Sequence, residues 1–126
     1  MAVTKTTTIT SLAGKLVVDF TADASKEANV TAATSGTIYL VEIDNTANAS
    51  TFAYLKIRDH ADATPSDANA GIPTWQLTAP KGGKITYAFP DGQEYAAGVS
   101  IWCTTNPANQ NVSSPTNAVI VKIIAS

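Results

Sequence analysis

Apolar and polar residues alternate with a period of two along most of this chain, in short runs that stop at clusters of Gly, Pro, Asn, Ser and Thr. The stretch from Lys84 to Thr105 shows the pattern well. Ile85, Tyr87 and Phe89 alternate with Lys84, Thr86 and Ala88, as in a half-buried strand. Pro90-Asp91-Gly92 then predicts a turn, because Pro cannot donate to a ladder and Asp-Gly suits turn geometry. After Gly98, Val99, Ile101 and Cys103 alternate with Ser100, Trp102 and Thr104.

The same period predicts the other strands. In Lys15–Phe20, Leu16, Val18 and Phe20 share one face, which is expected to point into the interior. In Thr37–Asp44, Tyr39, Val41 and Ile43 line one face while Ile38 and Leu40 make the other apolar. Apolar residues on both faces imply a central strand or one covered by a partner subunit. Phe52–Arg58 follows the turn cluster 45–50, so the two runs read as an antiparallel hairpin. Ile72–Ala79 is a strand that Pro73 assigns to an edge or a strand start. Ala118–Ala125 ends the sequence with Val119, Val121 and Ile123 on one face, a strand expected inside a sheet. Val3–Ile9 is Thr-rich with little to bury, so it reads as an edge strand or an arm that orders against a neighbour. Residues 24–33 read as loop or strand, and 105–117 as a long exposed loop.

Roughly seven to nine strands without a convincing helix predict an all-β fold. The expected architecture is a single-domain antiparallel β-sandwich, jelly-roll or immunoglobulin-like, with an extended N-terminal arm. Residues 1–13 form the arm or edge strand and residues 14–126 the sandwich domain.

Composition narrows the function. Charged residues make up only 14% of the 126 residues and the net charge is −2. Short neutral side chains lose little entropy when ordered, which suits permanent contacts. Nucleic acid is not an expected partner, because Lys and Arg are scattered rather than clustered. No apolar run is long enough to span a membrane, and the N-terminal sequence lacks the apolar core of a signal peptide, so synthesis in the host cytoplasm is expected. Three Asn-X-Ser/Thr matches, at Asn29, Asn48 and Asn111, read as chance in a chain rich in these residues.

Candidate chemistry is sparse. The single cysteine, Cys103, falls on an apolar face and reads as a small buried hydrophobe. The polar loop 59–71 holds three Asp and the only histidine, His60. Carboxylates in a loop suit calcium, but the spacing fits no EF-hand, and zinc would need more nitrogen or sulfur ligands. Asp91 and Glu94 lie in one turn, where water is their expected neighbour rather than a glycosidic bond. No phosphate-binding loop, GxSxG, HExxH or CxxC occurs. No enzyme activity, catalytic residue, metal or cofactor is expected. Trp102 points away from the Val99–Ile101–Cys103 face. It could stack on a sugar, or be buried against another strand, sheet or subunit.

From about Ser35 onward the chain resembles small bacteriophage virion structural proteins of the capsid decoration or cement type. The resemblance rests on VEIDN (41–45), AYLKIRD (53–59), WQLTAPKGG (75–83), Phe89-Pro90 with Gly92, and Gly98 before a strand closing in Cys103-Thr104-Thr105. It implies a non-enzymatic subunit on the capsid surface that bridges neighbouring capsomers. The implied partners are the major capsid protein and further copies of the chain, with three as the expected number. Interface residues would come from the arm (Thr6, Ile9), the doubly apolar strand (Ile38, Leu40) and the outward aromatics (Tyr54, Trp102). The alternative is a carbohydrate- or receptor-binding sandwich of a phage tail tip or fibre.

Overall fold

The computed structural model describes residues 3–7, 14–62, 72–109 and 112–126. Its strands are β1 (Val3–Thr7), β2 (Lys15–Ala22), β3 (Gly36–Asp44), β4 (Ala53–Arg58), β5 (Trp75–Ala79), β6 (Lys84–Tyr95), β7 (Ser100–Thr104) and β8 (Val119–Ala125). No helix occurs among the described residues. Sheet A has the order β1-β2-β8-β3-β6, sheet B the order β5-β4-β7, and every pairing is antiparallel.

Residues 23–30 extend sheet B. This strap exchanges both backbone bonds between Glu27 and Ile101 (2.8 and 3.0 Å). It also accepts the Cys103 amide at Asp23 O and donates from Val30 N to Val99 O, each at 2.7 Å. The sheets then read β2-β8-β3-β6 and strap-β7-β4-β5, two interleaved Greek keys, which is a jelly roll. An immunoglobulin sandwich, ordered ABED and CFG, would not place its first and last strands side by side, as β2 and β8 are here.

The core lies between the sheets. Val41, Ile43, Val121 and Ile123 from sheet A meet Leu55, Ile57, Ile101 and Cys103 from sheet B, all at 2% exposure or less. Each aliphatic side chain buried this fully is worth about 1.5–3 kcal/mol. β8 sits between β2 and β3, as its apolar alternation predicts, and β5 is an edge strand, as Pro73 predicts.

Four local expectations are corrected. First, β3 and β4 form no hairpin, since β3 pairs with β6 and β8 while β4 pairs with β5 and β7. Asn45 and Asn48 redirect the chain between sheets. Asn45 Nδ2 donates to Thr51 O and Pro80 O (both 2.9 Å), and Asn48 Nδ2 to Asn45 Oδ1 (2.9 Å) and Asn117 O (3.1 Å). Second, both pairings of β3 shift register between Ile38 and Leu40. This bulge breaks the period of two and turns Ile38 onto the face of Val41 and Ile43, leaving Tyr39 half-buried.

Third, Pro90-Asp91-Gly92 does not reverse the chain. Leu40 faces Ala88 and Ile38 faces Gln93, so residues 89–92 are the extra length of the bulge within β6. Gly92 has φ of 78°, and a Cβ there would lie 2.2 Å from Thr37 Cγ2. The crossing to sheet B comes later, at residues 96–99. Fourth, β2 shows its other face to the core. Val17 pairs with Ile123, Asp19 with Val121 and Ala22 with Val119, all three partners pointing inward. Leu16 and Val18 therefore face outward and Phe20 is 49% exposed.

Candidate interaction surface

The bulge and the face of β2 together place apolar groups on the outside of sheet A. Cross-strand pairing aligns Leu16 (β2), Ile124 (β8), Leu40 (β3) and Ala88 (β6) in one outward row. At the sheet edge the backbone of Thr6 in β1 pairs with Leu16. Leu16, Ile124 and Leu40 remain half-buried and Ala88 exposed. The next row is polar at its centre: Lys122 lies opposite Glu42, with Nζ 3.9 Å from Oε1, a partly exposed pair at the limit of ion-pair distance that adds little stability.

The six expected interface residues separate. Leu40 falls on this row, and Thr6 is the backbone partner of Leu16 at its edge. Ile38 does not, being 1% exposed and part of the core. Tyr54 is half-buried on the outer face of sheet B, its ring 6.3 Å from the exposed ring of Phe52. Ile9 lies outside the described residues. Trp102 is on the outer side of sheet B, as its alternation predicts, but is only 2% exposed. Lys26 Nζ lies 4.9 Å from the ring centroid, and Lys56 is opposite Trp102 with its own side chain buried. The loop after β7 folds back so that Ala108 O accepts from Lys56 Nζ at 2.5 Å. Burial lowers the Lys56 pKa, partly opposed by the Cys103 thiol and reinforced by Lys26. Trp102 thus has no free face for a sugar, which removes the residue that motivated the carbohydrate-binding alternative.

The other candidate groups have structural partners. Asp59 Oδ1 accepts the amides of Ala96 (3.0 Å), Ala97 (2.8 Å) and Gly98 (3.2 Å), and Oδ2 also accepts from Ala96 (2.8 Å). This binds the end of β4 to the β6–β7 crossing. His60 Nδ1 accepts the Asp62 amide at 2.9 Å. Among the described residues no three His, Cys, Asp or Glu side chains converge on a possible metal position; residues 63–71 of that loop lie outside them. Asp91 and Glu94 are both exposed. Burial pushes the Cys103 thiol up to about 12, Asp19 and Asp23 adding to the effect. Thr46 holds the Asp44 carboxyl below its ordinary value through its hydroxyl and its amide.

Two of the glycosylation matches are spoken for. Asn48 is buried and both ends of its amide are bonded, Oδ1 accepting from Asn117 N at 2.9 Å. Thr31, the hydroxyl residue of the Asn29 match, is 1% exposed. Two hollows remain. An apolar cavity of about 50 Å³ lies between Trp75, Leu77 and Phe89, too small for a typical ligand. A shallow polar cleft of about 240 Å³ runs between residues 21–23 and 115–118.

Leu16 and Ile124 were not anticipated on the surface. Their signal is present in the sequence: AVIVKIIA carries Ile120 and Ile124 on the face of Lys122, more apolar surface than one core face uses.

The fold is therefore that of a jelly-roll sandwich whose sheet A carries an outward apolar row. No family model, curated protein or solved structure matches the chain.

Proposed function

We propose that this chain is a non-enzymatic structural subunit of a phage virion. It decorates the capsid surface as a homo-oligomer of three copies and bridges neighbouring capsomers of the major capsid protein. The observation that carries the reading is the Leu16–Ile124–Leu40–Ala88 row, apolar surface on the outside of a sheet that is already packed on its inner side. The low charge of the chain supports it, because Lys, Glu and Asp are among the residues depleted at interfaces. The jelly roll supports it as an architecture that recurs in viral shells, an argument from fold alone. The number three and the phage setting rest on the sequence resemblance.

Mass by light scattering is the first test, and capsid release at raised temperature with and without the protein is the second. The expected results are a trimer, or a subunit that assembles only on capsids, together with later capsid release. A stable contact should bury at least about 1,000 Å². The double variant Leu40→Glu with Ile124→Glu should remain folded but fail to bind. A monomer that neither binds nor stabilises capsids would end the reading.

A further inference from the structure

One ionisable group sits on the wrong side of its sheet. Asp19 lies on the inner face of β2, opposite Val121, at 1% exposure. Its Oδ1 accepts the Thr21 amide at 3.0 Å, while Oδ2 is buried without a partner. It stands where β2 leaves sheet A: the register with β8 shifts between Asp19 and Ala22, and the strap begins at residue 23.

The groups around it oppose a negative charge. Asp23 and Glu27 from the strap are both acidic. β7 contributes the buried Cys103 thiol, on which Asp19 acts electrostatically. β8 contributes Val121 and Val119. The smallest influence, the positive charge of the N-terminus, favours ionisation. An ionised Asp19 is therefore both desolvated and repelled. Two events relieve it: the carboxylate takes up a proton, or the strap lifts and admits water. The strap makes only one isolated bridge with β7, and beyond its backbone bonds it is held by Lys26 over Trp102, the Asn29 amide on the Ser100 hydroxyl (3.2 Å) and the buried Val30, fewer ties than a paired strand has.

We propose that Asp19 is a proton-operated latch that sets how tightly residues 23–30 close against β7. Neutral Asp19 lets the strap seal the sandwich, and ionised Asp19 loosens it. Burial places this change in an accessible range, raising the carboxyl from 3.8 to about 6 against the opposing bond from Thr21. Because the folded value is the higher one, the stabilisation is complete below about pH 4 and is lost as pH rises through about 6.

Amide hydrogen exchange, corrected for intrinsic rates, tests this on the whole chain. The amides of Glu27, Val30, Ile101 and Cys103 report on strap closure, and those of Ile43 and Val121 on the core. From about pH 5 to 7.5 the strap amides should lose about tenfold or more in protection, and the core amides much less. Asp19→Asn should hold the strap amides at their low-pH protection throughout. Unchanged strap protection, the same pH response in Asp19→Asn, or equal loss at every core amide would each overturn the latch. Should Asp19→Asn not fold, carbon NMR titration of the wild-type Asp19 carboxyl decides: a midpoint near 6 supports the latch and one near 4 ends it.

Discussion

Tyr95 and Thr31 meet in the interior with their hydroxyl oxygens 3.0 Å apart, joining the end of β6 to the chain just past the strap. Tyr95 Oη also lies 2.7 Å from the carbonyl of Ser126, which can only accept. Tyr95 therefore donates to Ser126, and Thr31 donates to Tyr95. One hydroxyl ties three distant parts of the chain together.

Tyr95→Phe keeps the ring and removes both bonds, leaving a buried Thr31 hydroxyl and a carbonyl without their partner. The expected loss is about 1–3 kcal/mol, read from the midpoint of urea unfolding. An unchanged midpoint would show that water replaces both bonds.

Asp59 gathers the amides of residues 96–98 at the end of β4, and charge-assisted bonds of this kind are stronger than neutral ones. Asp59→Ala should cost about 2–3 kcal/mol and Asp59→Asn less, because an amide keeps one acceptor. Chemical denaturation of both variants gives the order.

Gly92 should resist replacement. Gly92→Ala puts a Cβ onto Thr37 Cγ2 in a conformation with φ of 78°. A loss of more than about 1 kcal/mol in thermal or urea unfolding is expected. The pair Gly92→Ala with Thr37→Ser, which clears that methyl group, should recover part of it.

Cys103 is fully buried, and its thiol is pushed up to about 12 by desolvation. A thiol reagent should label it slowly in the native state at neutral pH and at once in denaturant, because the thiolate is the reactive form. Fast native labelling would mean that the strap side of β7 opens readily.

Local pattern and tertiary structure each account for part of this protein. Where one face of a strand is plainly apolar, as with Val119, Val121 and Ile123 or Leu55 and Ile57, alternation alone determined the inward face, because burial rewards one parity. Alternation also placed Cys103 inside and Trp102 on the opposite side of its strand. The Gly, Pro and Asn clusters determined where most strands end, and so the all-β class, although Pro90-Asp91-Gly92 lies within β6. Where both parities are apolar, alternation misled, assigning Leu16, Val18 and Phe20 to the interior. In Leu16-Val17-Val18-Asp19 the inward pair proved to be Val17 and Asp19, set by pairing with Ile123 and Val121 of a strand a hundred residues away. Around Ile38 a bulge against β6 overrode the period, a long-range event with no local signature. That Trp102 is covered was likewise decided from afar, by Lys26 on the strap and Lys56 on β4. The apolar row across sheet A joins residues from four strands scattered along the chain. Only the lateral order of those strands makes it a surface, and backbone pairing between distant segments is what sets that order.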